Sequence, residues 1–170
     1  FIPAGAQNGQ LTNLFMPKRI NTQPNAVAPA PFARLRVNKE VYDRHIAQYP
    51  GDPRIAGTFI NTYMQISGTN QPVYPANTAG EGFPYLKKYE DASFVSNSCN
   101  RNLVYMRYAD VLLLLAEAEN EINGPDNAYQ YVNKVLARAR TSVTPASTVP
   151  ANYSGMTKVS FRDRIMKERF

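Results

Sequence analysis

The chain has 170 residues, 44% of them hydrophobic and 19% charged, which is enough for an ordinary domain core without disulfides or metal. One cysteine (Cys99) and one histidine (His45) exclude an intrachain disulfide and any site built on two histidines or two cysteines. The net charge of +6 is spread out: ten basic against six acidic residues up to Asn102, four against five over Leu103–Arg140, and five against two from Thr141. With no run of four basic residues there is no electrostatic stripe for a phosphate backbone, and nucleic acid is not an expected partner.

The longest apolar run, Val111–Ala116, lies between Asp110 and Glu117 and is far short of the ~20 residues a bilayer requires. Phe1-Ile2-Pro3 has no starting Met and no leader pattern. A chain that opens on Phe1 and closes on Phe170 inside a charged helical pattern reads as a piece of a longer protein.

Composition divides the chain near Asn102. Ten of the thirteen prolines and seven of the nine glycines precede it, so residues 1–102 are expected to be irregular, with short strands and helices only. Pro24, Pro29 and Pro31 mark a loop. Phe32–Val37 alternates apolar and basic residues, a strand signal. Asn38–Tyr49 has Val41, Tyr42, His45, Ile46 and Tyr49 at near-helical spacing and stops at Pro50-Gly51-Asp52-Pro53. Thr58–Ile66, rich in β-branched and aromatic residues, reads as a strand, and Tyr85–Tyr89 as a shorter one.

From Leu103 the pattern is helical. Arg107, Asp110, Glu117 and Glu121, with Leu114 interrupting, trace one narrow polar stripe, and apolar residues fill the rest, so this helix is expected between neighbours. Asn123-Gly124 predicts a left-handed stop, and Pro125 with Asp126 begins a second helix. That helix places Ala128, Val132, Val135 and Ala139 on one face. Ala116 and Ala128 are the small residues that let the two helices pair closely, as in tetratricopeptide-like hairpins. One such unit cannot cover both its flanks, so exposed apolar faces need partners. A third helix is expected from a Ser160 cap with Asp163 three residues on, burying Phe161 and Ile165.

Reactive residues offer little chemistry. His45 on an apolar face reads as packing, and Cys99 lacks a nucleophile motif. Glu117, Glu119 and Glu121 read as an ion-paired or solvated face, because Glu119 points about 200° round the helix from the other two. The irregular half is more informative. Tyr63, Tyr74, Phe83 and Tyr85 occur with Asn61, Gln65, Asn70, Gln71 and Asn77, a mixture suited to a neutral, hydroxyl-rich ligand. Aromatic faces meet sugar C–H groups, and planar amides meet hydroxyls. Tyr63, Tyr74 and Tyr85 are the candidate stacking platforms, with Asn77 and Arg54 as hydrogen-bonding groups. The plainer alternative is that these tyrosines pack a loop-rich core.

The run Asn102-Leu-Val-Tyr-Met-Arg-Tyr-Ala-Asp-Val-Leu-Leu-Leu-Leu-Ala-Glu-Ala-Glu-Asn120 resembles the best-preserved stretch of the SusD/RagB family. The resemblance continues through Ala128-Tyr129, Asn133, Val135 and Arg138-Ala139-Arg140 to Phe161–Ile165 and Glu168-Arg169. Upstream, Asp52-Pro53-Arg54-Ile55, Thr58-Phe59 and Lys88-Tyr89 are similar to the family's run-up to this hairpin. The resemblance implies a mainly α fold with a loop-rich, strand-poor half. It divides the chain into a ligand-binding segment, 1–102, and a tetratricopeptide-like hairpin with the start of a further helix, 103–170. It also implies a non-catalytic protein without cofactors that captures oligosaccharides at the outer membrane. Its partner would be a SusC-like TonB-dependent transporter, and its only membrane attachment a lipid anchor outside this chain.

The motif itself is expected to be structural, with Arg107 pairing with Asp110 and Glu117 facing Arg138 across the hairpin. Two other readings stay open. One is a helical-repeat module that binds peptides or another subunit. The other is an enzyme acting on oligosaccharides through Glu81 or Glu90.

Overall fold

The computed structural model describes residues 11–17, 20, 35–65, 67–74, 82–92 and 104–169. They fall into two compact units. The first takes its described residues from Phe1–Gln48 and Ile55–Leu103, the second from Tyr49–Arg54 and Val104–Phe170. The protein is mainly helical, and among the described residues the short strands lie in the first unit. Among the described residues no helix is long and apolar enough to cross a membrane.

In the first unit, α1 is Leu11–Phe15 and α2 is Lys39–Gln48. Asn38 starts α2 as expected: its side-chain oxygen accepts from Glu40 N at 2.8 Å, supplying a partner to a backbone donor the helix leaves free. The expected strand over Thr58–Ile66 is broken into two. Helix α3 (Pro53–Thr58) runs into β1 (Phe59–Ile60), and β2 is Thr62–Met64. The break is Asn61, whose carbonyl accepts from both Val73 N and Tyr74 N. The two pieces then pair with different partners. Strand β2 runs antiparallel to β3 (Asn70–Pro72), and β1 antiparallel to β4 (Tyr85–Leu86). Of the expected strand over Tyr85–Tyr89, only β4 is extended; Lys87–Tyr89 is a 3-10 turn. Of Phe32–Val37, the described residues 35–37 form no strand: Leu35 N bonds Leu14 O, and Val37 N bonds Pro84 O. Met16, Ile20, Ile60, Val73 and Tyr85 form this unit's core.

The second unit holds the helix hairpin, α4 (Tyr108–Asn123) and α5 (Pro125–Arg140). A single residue, Gly124, joins them. Its φ of 88° and ψ of 178° put it outside the left-handed helical stop the sequence suggested, in a region that side chains exclude. Ala116 and Ala128 are both fully buried in one core with Val132, Leu136, Phe161 and Ile165. On α5 the buried row is Ala128, Val132, Leu136 and Ala139; Val135, expected there, is only half-buried. Helix α4 starts at Tyr108, later than its apolar pattern suggests. Arg107 is extended, and its backbone N–H donates to the Asp110 carboxylate at 2.8 Å, which closes the helix end.

The flank of α4 away from α5 is not sandwiched between neighbours. Tyr108, Val111, Leu114, Leu115 and Ile122 are 37–78% exposed. The remaining face holds Leu112, Leu113, Ala116 and Asn120 inside.

Between α5 and α6 (Lys158–Arg169) the chain is laid along α5 by side chains that grip its backbone. Tyr129 accepts from Met156 N at 2.6 Å, Asn133 exchanges two bonds with the backbone of Tyr153, and Arg140 donates to Pro150 O at 2.6 Å. Positions 129, 133 and 140 lie four and seven apart, which is one stripe of a helix. Helix α6 starts at Lys158, two residues before the expected cap. Thr157 caps it, its hydroxyl accepting from Ser160 N at 3.1 Å, and Ser160 lies inside the first turn. Phe161 and Ile165 are fully buried, as their spacing predicts.

Candidate functional site

In the first unit, α2, β1 and the turn after β3 bring together an aromatic cluster. The Tyr42 ring meets Phe59 edge-on at 5.1 Å and Tyr74 edge-on at 5.0 Å. His45 also packs edge-on against Phe59, at 5.6 Å, and its Nδ1 lies 3.1 Å from Val41 O, so the lone histidine serves as packing. The Asn61 amide donates to the Tyr42 hydroxyl at 3.2 Å.

Tyr74 is half-buried, and its hydroxyl donates to the Asp43 carboxylate, with both oxygens at 2.7 Å. That bond, before any other cause, raises the Tyr74 pKa above the ordinary value. The result is a ring fixed at both ends, by an ionic acceptor and by an aromatic edge.

Tyr63 is half-buried on β2 and meets Tyr85 edge-on at 6.1 Å. Tyr85 is only 2% exposed, and the Arg36 guanidinium lies 4.8 Å from its ring centre. Burial therefore makes the Tyr85 ring part of the core and leaves it no open face for stacking. Asn61 and Asn70 are exposed beside the two strands, and Gln71 is half-buried. Asn77 and Glu81 lie outside the described residues, as does Cys99.

Arg54 belongs to the second unit. Its Nε donates to Asp52 Oδ1 at 3.1 Å and Oδ2 at 2.9 Å, Nη2 donates to Oδ2 at 2.6 Å, and Nη1 binds Glu168. Desolvation opposes its charge, but the bonds to Asp52 and then Glu168 outweigh this and hold its pKa above the ordinary value. This guanidinium is committed to carboxylates within the chain. The structure thus joins Tyr63 to Tyr85 and Tyr74 to Tyr42, whereas Arg54 belongs to the other unit.

Sequence reasoning missed Tyr42 and Asp43 as the groups that orient Tyr74. Tyr42 was visible on the apolar side of its helix. Asp43, on the adjoining face, carried no signal, because its partner is 31 residues away.

Asp110, Glu117 and Glu121 of α4 are structural. Arg107 pairs with Asp110 at 3.6 Å. Glu117 pairs with Arg169 of α6 and not with Arg138, because α6 lies against α4 and supplies a nearer cation. Glu121 holds Arg162, whose hydrogen bond is the main cause of a Glu121 pKa lowered to about 2. Asn120 is fully buried and donates to Lys158 O at 3.0 Å, fixing the start of α6. A cavity of about 240 Å³ lies at the start of α4, lined by Tyr105, Met106, Asp110, Leu114 and Arg169.

Comparison with known proteins gives one family. The family model described as the SusD family matches residues 17–170. SusD-like protein P25 of Formosa agariphila is 39% identical over 92 residues, 51% of this chain and 16% of that protein. SusD-like protein P38 of the same organism is 30% identical over 84 residues, 49% of this chain and 17% of that protein. A solved SusD homolog from Bacteroides thetaiotaomicron shares the fold, with a TM-score of 0.63 over 89% of this chain and 34% of that chain, at 23% identity. The chain spans about a sixth of the length of the relatives it matches by sequence.

Proposed function

The chain belongs to the SusD family, and from that premise we propose that its protein captures oligosaccharides at the outer-membrane surface for uptake. In this reading it is a non-catalytic, cofactor-free lipoprotein. It is anchored through a lipid outside these residues and delivers glycan to a SusC-like TonB-dependent transporter. The observation that carries the reading is the family match together with the held tyrosines of the first unit. Tyr63 and Tyr74 are the proposed stacking faces, and Asn77 a proposed hydrogen-bonding partner. Tyr85 serves the first unit's core, and Arg54 a scaffold ion pair within the second unit. A ring already fixed by Asp43 and Tyr42 loses little freedom when a sugar settles on it, which favours binding.

The test is calorimetry and affinity electrophoresis of the full-length protein against a panel of polysaccharides. At least one glycan should bind. Tyr63→Ala and Tyr74→Ala should each weaken it by about 1–2 kcal/mol, the scale of a lost aromatic face, with helical circular dichroism unchanged. Binding to no glycan would overturn the proposal.

A second reading, a helical-repeat module for peptides or another subunit, is favoured by the exposed apolar flank of α4. Peptide binding that Leu115→Glu abolishes and Tyr74→Ala leaves intact would select it.

A further inference from the structure

Residues Tyr49–Arg54 belong to the second unit, although the chain on either side of them belongs to the first. Their shape is local. Tyr49-Pro50-Gly51-Asp52 makes a tight turn, with Asp52 N bonded to Tyr49 O at 3.0 Å and Gly51 at φ 82°, a proline–glycine pattern. Asp52 then accepts from Arg54 N at 2.8 Å, which starts the next helix. Their partners are distant in sequence. The Tyr49 hydroxyl lies 2.6 Å from that of Tyr153. The Tyr49 ring has the guanidinium of Arg164 at 4.9 Å and that of Arg54 at 5.5 Å. Arg54 reaches Glu168, on α6 one turn beyond Arg164.

We propose that this strap and α6 form a latch: they dock and release together as one cooperative element, with the Arg54–Glu168 ion pair as its catch. The Glu168 side chain is 2% exposed and that of Asp52 4%. Glu168 Oε2 and Arg164 Nε are buried with no hydrogen-bond partner among the described residues. A carboxylate so enclosed is stable only while its cation is present, since removing one member of a buried pair leaves an uncompensated charge. If the strap departs, Glu168 loses its cation; if α6 departs, Arg54 loses its bond to Glu168. Each half therefore holds the other. Asn120 of α4 also holds Lys158 O, but the ion pairs of α6 with α4 are of another kind. Glu121–Arg162 and Glu117–Arg169 are solvent-accessible pairs, which contribute little on their own. Leu113, Ala116, Ala128, Val132 and Leu136 of the hairpin are apolar and include none of the latch's charged groups, although Tyr49, Phe161 and Ile165 pack into the same core.

Hydrogen exchange on the whole chain tests the latch. In Glu168→Gln, which keeps the size and removes the charge, the amides of Tyr49, Gly51, Asp52 and Arg54 should exchange faster by about tenfold or more. Those of residues 158–169 should accelerate by the same factor, while the facing amides of α4 and α5 keep wild-type rates. Tyr49→Phe, a milder change made from the strap side, should likewise accelerate both segments together, and it decides the matter where Glu168→Gln does not fold. Acceleration of one segment without the other, of neither, or of the whole unit equally would overturn the proposal.

Discussion

Asn133 is the side chain on which the packing of the second unit is most directly tested. It sits on α5 and treats Tyr153 as a strand would. Its Oδ1 accepts from Tyr153 N at 2.7 Å, and its Nδ2 donates to Tyr153 O at 3.1 Å. Tyr153 is itself 3% exposed, so its backbone groups have little access to water once Asn133 is shortened. Two bonds at about 0.5–1.5 kcal/mol each, plus part of the desolvation cost of the stranded pair, give about 2–4 kcal/mol for Asn133→Ala. Asn133→Asp keeps the acceptor and turns the donor into an oxygen facing Tyr153 O, so it should be nearly as harmful at neutral pH. The assay is urea unfolding followed by helical circular dichroism and by tyrosine fluorescence, which no tryptophan obscures. With a urea slope of about 1–3 kcal/mol per molar, the midpoint should fall by roughly 1–2 M. A shift in Asn133→Ala corresponding to less than about 0.5 kcal/mol, or an aspartate variant as stable as wild type, would refute the reasoning.

Three further outcomes follow from the same unit. Gly124→Ala should destabilise by about 1–3 kcal/mol in the same assay although nothing crowds the site, because the cost lies in φ 88° with ψ 178°. Glu121, lowered from 4.5 to about 2 chiefly by its bond from Arg162, contributes stability that is complete above pH 4.5 and is lost as pH falls through about 2. Carboxyl-carbon magnetic resonance should show that low midpoint, and Arg162→Gln should move it back toward 4.5. Tyr153, whose pKa is raised by burial and then by the Tyr49 hydroxyl, should stay neutral in the folded chain. Its contribution is complete below the ordinary tyrosine value and is lost as pH rises beyond it, so phenolate absorbance should show Tyr153 ionising only with unfolding.

The hairpin was legible because its signal is local and repeated. Sixteen residues of α4 and sixteen of α5 carry the 3.6-residue period, and Asn123-Gly124-Pro125 punctuates them at the right place. The start of α4 was less so: the apolar residues before Tyr108 continue the pattern, yet the backbone of Arg107 is extended and Asp110 closes the helix behind it. Strand propensity failed in another way. Phe59–Met64 is strand-forming apart from Asn61, but β1 and β2 answer to partners 26 and 8 residues downstream, and it is that pairing which makes Asn61 a break. Thr157 and Ser160 are both competent caps, and the buried positions of Phe161 and Ile165 are compatible with either.

The candidate site was legible as chemistry and illegible as geometry, and the tyrosines show why. Tyr63, Tyr74 and Tyr85 are the same side chain in similar surroundings of sequence, yet one is core and two keep part of a ring outside. What separates them is contact order: Tyr85 is placed by β1, Met16 and Ile20, and Tyr74 by Asp43 and Tyr42. Arg54 makes the same point more sharply. Asp52, two residues away, could be read as its partner, but Glu168 is 114 residues off, and it is that long reach which turns a plausible sugar ligand into part of a buried ion-pair network. An arginine bound on three nitrogens by two carboxylates is held by acceptors far stronger than the neutral hydroxyl of a sugar. The proposed binding chemistry therefore rests on the partly open rings of Tyr63 and Tyr74 and the exposed amides of the first unit.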